Sequence, residues 1–199
     1  MSRSGLCGDA GQAFPIYITV VGGLLLLALA YFAVGQAAAT RSEAQTAADA
    51  AALAAALETR DRLADQWVDK ILEPETWQDI FEGKVFVPDA CWRATELAAK
   101  NDASVECAPD GRLGYRVSAE TNDTVGDTIV PGTEEQKATE SATAVIEARC
   151  SPQPPAEGAE DDALPSLTCQ GGEDWALKPD DLANLPKPED LFDVHLADS

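Results

Sequence analysis

His195 is the only histidine in the chain, and it stands in a run where Phe192, Val194 and Leu196 alternate. That pattern puts it on the outer side of a strand, so it reads as a surface residue rather than a catalytic base. The five cysteines, Cys7, Cys91, Cys107, Cys150 and Cys169, contain no CxxC. A zinc site wants Cys and His at tight spacing, so disulfides explain them better. The preferred pairing is Cys91 with Cys107 and Cys150 with Cys169, because each closes a short loop beside an expected element; the other two pairings stay open. Cys7 is given no role.

The acidic run Glu160-Asp161-Asp162 lacks the spaced ligands and the glycine of a calcium loop. With 35 Asp and Glu residues, some carboxylates fall close together by chance, which removes the value of any one pair as an acid-base signal. GxGxxG, Walker and GxSxG motifs are absent. The expectation is a protein with no enzymatic activity, no cofactor and no metal. Trp67, Trp77, Trp92 and Trp175 raise a carbohydrate-stacking face, but three of them occupy expected helix faces where core packing is the default. A membrane-tethered module binding cell-wall polymer or another ligand is therefore the alternative function.

The elements that carry these residues follow from hydropathy and charge. Phe14 to Val34 is an uncharged apolar run long enough to cross a hydrocarbon core of about 30 Å, and no second run of this kind exists. It exceeds a cleaved signal's apolar region, so an anchor is expected. Helix formers continue past it, and no proline intervenes until Pro74. The expected organisation is a cytosolic leader (1–12), a transmembrane helix (13–40) and an extracytoplasmic helical stalk (41–72). A small α+β domain (73–150), an acidic Pro-rich linker (151–166) and a strand-like C-terminal segment (167–199) complete it. An even cysteine count beyond the anchor fits an oxidising compartment, which puts the N-terminus in the cytosol and the domain outside. The net charge of −21 lies almost wholly beyond the anchor and makes nucleic acid a poor partner.

Within the stalk, Ala44, Ala48, Ala51 and Ala55 trace one stripe, and Arg41, Gln45 and Asp49 form a polar ridge at four-residue spacing. Small residues let backbones approach closely, so this part is expected to pack against another helix. Arg41, Gln45, Ala48, Asp49, Ala51 and Ala55 are the candidate association residues. The ridge has a plainer reading as a solvated stripe. Further on, Leu63, Trp67, Val68, Ile71 and Leu72 form a bulky face expected to pack on the chain's own domain. Trp77, Ile80 and Phe81 mark a short helix closed by Gly83, and Asp89 stands as a cap before a helix bearing Cys91, Ala94, Leu97 and Ala98. A hairpin is expected around Pro109-Asp110-Gly111, and one strand from Ala142 to Cys150.

Gly11-Gln12-Ala13-Phe14-Pro15, the apolar span, and Arg41-Ser42-Glu43-Ala44-Gln45-Thr46-Ala47-Ala48-Asp49-Ala50-Ala51-Ala52-Leu53-Ala54 together resemble the TadE/TadG-like proteins of the Tad (Flp-type) pilus-assembly system. The resemblance covers about the first sixty residues and implies a minor-pilin-like or accessory component without enzymatic activity. The partners it implies are pilins or other membrane proteins of the pilus or secretion apparatus, besides membrane lipid. The implied architecture is pilin-like: a long N-terminal helix, half in lipid, carrying a small antiparallel sheet. Flp-type prepilins have Glu and an aromatic at the fifth and sixth positions after the cleaved Gly. Counting from Gly11 gives Ile16 and Tyr17, so the aromatic matches and the Glu does not.

Overall fold

The structure, a computed structural model, describes residues 13–124, 135–154, 164–172, 174–178 and 184–197. The leader, Cys7, the Glu160-Asp161-Asp162 run and most of the expected linker lie outside them. Helix α1, Ala13–Asp69, runs through 57 residues, which is about 85 Å at 1.5 Å per residue. It ends three residues before the expected Leu72, where Ile71 and Leu72 pass through a turn into a 3-10 helix at Pro74–Thr76. Helix α2 (Trp77–Phe81) follows, and Gly83 closes it at a φ of 62°. A Cβ at Gly83 would stand 2.7 Å from the Leu113 side chain, so both the backbone angle and the close approach demand glycine.

Helix α3 (Cys91–Ala99) leads into β1 (Ala103–Pro109), β2 (Gly114–Thr121) and β3 (Thr139–Ala148). The β1–β2 hairpin closes where the Asp110 N–H donates to the Gly114 carbonyl, at the expected Pro-Asp-Gly turn. The expected strand from Ala142 to Cys150 is in fact two. β3 stops at Ala148, Arg149 turns the chain, and β4 (Cys150–Gln153) pairs with β5 (Ser166–Cys169). β5 also pairs with the two-residue β6 (Asp174–Trp175). The Arg149 amide donates to Leu191 and its carbonyl accepts from Gln170, so both backbone groups serve neighbouring segments instead of extending β3. Pairing of Ser151, Pro152 and Gln153 likewise shows that the start of the expected linker is ordered sheet.

A four-residue helix, α4 (Pro188–Leu191), precedes β7 (Phe192–Leu196), which pairs antiparallel with β3. The main sheet is thus β1-β2-β3-β7, antiparallel throughout, and the C-terminal segment completes it. Alternation along β2 and β3 turns Tyr115, Val117, Ala119, Ala142, Ala144 and Ile146 inward. The upper part of α1 packs on this face and on α3 as well. The fold is α+β: a long apolar N-terminal helix bearing a small antiparallel sheet domain.

Candidate assembly surface

α1 divides sharply by burial. From Phe14 to Val34 its large side chains project from the protein, with Tyr31 83% exposed. Among the described residues no other segment covers them, and this helix alone is long and apolar enough to cross a membrane. From Ala44 onward a broad face closes over, and Ala44, Ala47, Ala48, Ala51, Ala52, Ala55 and Ala56 have no exposed surface.

That burial reassigns the alanine stripe. Ala48, Ala51 and Ala55, expected to meet a neighbouring helix, are covered by the chain's own sheet and by α3. The reason lies in matched side-chain size: the buried residues of the elements packed on α1 include Ala119, Ala142 and Ala144 of the sheet and Ala94 and Ala98 of α3. Small residues on both sides bring backbones together, and a sheet serves as well as a second helix. Residues 41–69 are consequently the central rod of the domain and not a free stalk. The bulky continuation behaves as expected: Leu63, Trp67 and Ile71 are buried, although Val68 and Leu72 remain exposed.

Along the polar ridge Arg41 is exposed and Gln45 and Asp49 are half-buried. Arg41 donates through Nε to Glu140 of β3, an ion pair on a largely exposed arginine. Gln45 Nε2 donates to Asp49 Oδ1 at 2.7 Å. Gln45 and Asp49 line a cleft of about 540 Å³ with Arg116, Ser141, Thr143 and Leu196, where β7 ends against β3. Arg116 itself is engaged by Asp110 at 3.1 Å. The cleft therefore gathers a carboxylate, an amide and hydroxyls at a partly open sheet edge.

One buried polar node escaped the sequence reading. Tyr115 Oη lies 2.9 Å from Thr59 Oγ1 and accepts from the Ala90 amide at 3.1 Å, joining α1, β2 and the segment before α3. The signal that would have found it is Thr59, four residues beyond Ala55 on the buried face of α1. The N-cap of α3 is Ala90 and not the expected Asp89, which stands one residue earlier and accepts from the Cys91 amide at 2.6 Å.

Groups that bear on chemistry are dispersed. His195 lies outward on β7, with Nδ1 3.0 Å from Asp193 and Nε2 4.0 Å from Glu147. Among the described residues no group of three or more His, Cys, Asp and Glu is disposed to hold a metal ion. Trp67 and Trp77 pack together inside the core with ring centroids 5.5 Å apart, which takes them out of any stacking platform. Trp92 alone is strongly exposed, at 52%. Disulfides join Cys91 to Cys107, tying α3 to β1, and Cys150 to Cys169, directly opposite one another in the β4–β5 ladder. On the surface of α3, the Lys100 and then the Arg93 hydrogen bond hold the Glu96 carboxyl below its ordinary range. Glu82 is lowered in the same way, chiefly by Lys84 and next by Gln78.

Residues 11–58 match the family model described as putative Flp pilus-assembly TadE/G-like. The matched segment ends within α1, so it contains the projecting apolar run and the alanine-lined rod but none of the sheet. No curated protein and no solved structure matches the chain.

Proposed function

We propose that this chain is a single-pass, non-enzymatic component of a Flp-type pilus-assembly apparatus, minor-pilin-like or accessory in role. Its N-terminus lies in the cytosol and its domain outside the cell. The observation that carries the reading is the wholly projecting run Phe14–Val34, which continues without a break into the rod of the domain and falls within the family-matched segment. Two disulfides in the domain support an oxidising compartment on that side.

Association with pilins or other membrane proteins of the apparatus then runs through the apolar span and the ridge of Arg41, Gln45 and Asp49. Ala48, Ala51 and Ala55 act indirectly, by fixing the domain to the helix that the partner meets. The test is cross-linking of the full-length protein in its native membrane, mild solubilisation, and identification of what co-purifies. A small pilin or a polytopic membrane protein is the expected result. Recovery of the chain alone, or with wall fragments, would overturn the proposal.

A further inference from the structure

Side chains from opposite ends of the fold fix the height of the domain along α1. Arg41 bonds Glu140 at the start of β3, and Asn101 shares a surface groove with Ala39, Ser42, Glu43 and Thr46. Ala103 at the start of β1 is paired with Thr121 at the end of β2, and the Asn122 amide donates to Asp102. The end of α3, the start of β1, the end of β2 and the start of β3 therefore lie together, level with residues 39–43 of the helix. At the other end, Arg62 reaches Pro88 and Gln66 reaches Phe86.

The projecting apolar run ends at Val34, and the first α1 side chain buried beyond it is Thr40. Six residues of helix span about 9 Å, whereas the headgroup layer on each side of a bilayer is about 5–8 Å thick. α1 is helical throughout this interval, so no slack chain separates the two. The lower rim of the domain carries Lys100, Asn101, Asp102, Asn122, Lys137 and Thr139, with no large apolar side chain among the six. Ammonium, amide, carboxylate and hydroxyl groups suit a polar headgroup layer and not hydrocarbon.

From this we infer that the rim at Lys100, Asn122 and Lys137 rests in the phospholipid headgroup layer, so that the domain sits on the bilayer surface. The inference builds on the membrane-anchored reading above and adds the lipid surface as a partner of the domain itself.

The test uses full-length protein in zwitterionic phosphatidylcholine vesicles, with Cys7→Ser as background and a nitrobenzoxadiazole dye placed at one site at a time. Lys100→Cys and Asn122→Cys report the rim from two separate elements, Asp65→Cys the far part of α1, and Leu26→Cys the span. Headgroup-attached nitroxide should quench both rim dyes several-fold more than the dye at position 65, while chain-attached nitroxide quenches the dye at position 26. Rim dyes quenched no more than the dye at 65, with the dye at 26 still quenched, would overturn the headgroup contact and leave the anchor standing. Loss of quenching at position 26 would remove the anchor and the headgroup contact together.

Discussion

Ala51 has no exposed surface and faces the chain's own elements, so its replacement tests packing and not partner recognition. Ala51→Leu forces a larger side chain into a closed seam and should destabilise the domain by about 1–3 kcal/mol. Urea denaturation of the detergent-solubilised full chain, followed by tryptophan fluorescence from the buried Trp67 and Trp77, measures this. An unchanged midpoint would mean that the seam opens readily. Tyr115→Phe removes one hydroxyl that serves both Thr59 and the Ala90 amide, leaving two buried groups short of a partner. The expected loss is about 1–3 kcal/mol in the same assay. Arg41→Ala breaks a pair whose arginine side chain is 75% exposed, and the midpoint should move by less than about 1 kcal/mol.

At the scale of elements, α3 carries a pH dependence of definite sign. Glu96 titrates below its reference value of 4.5, so whatever stability it lends is present above that pH and is lost as acid protonates the folded form. Because the group is exposed, the effect is best read as a titration rather than as a melting temperature. Lys100→Ala should shift the Glu96 carboxyl resonance midpoint upward toward the reference value; an unmoved midpoint would discount that hydrogen bond. Elements with local signatures were legible in the sequence. The Pro-Asp-Gly turn gave the β1–β2 hairpin, and Trp77, Ile80 and Phe81 gave α2. The break at Arg149 was not legible, because alternation continues through it and only contacts with distant Leu191 and Gln170 redirect the chain. The pairing of β7 with β3 was equally hidden, since it joins segments more than forty residues apart. Of the candidate site, Arg41 is exposed and Gln45 and Asp49 are half-buried, while the alanine stripe meets the chain's own elements, which its sequence does not specify. Small residues specify a close approach without specifying what approaches.

For the molecule as a whole, residues 41–69 belong to the domain's core, which makes the position of a truncation decisive. A chain beginning at Arg41 keeps the buried alanines and should unfold cooperatively in water with both disulfides formed. One beginning at Asp61 loses Ala44–Ala56 and Thr59, and should lack a cooperative transition and near-ultraviolet circular dichroism. Equal behaviour of the two fragments would show that the rod is dispensable. The apolar span and the core of the domain thus share one continuous helix.

The alanine-rich seam also has an entropic side. Alanine has no rotamers to lose, whereas each ordered leucine gives up about 0.5–1 kcal/mol of side-chain freedom at room temperature. Ala48, Ala51, Ala52 and Ala55 share the core with Ala142, Ala144 and Ala94 of the elements packed on α1, and at these positions little side-chain motion is frozen on folding. Over this stretch the apolar N-terminal helix is held in its domain by close fit at little entropic cost, with the Arg41–Glu140 and Thr59–Tyr115 bonds fixing it on either side.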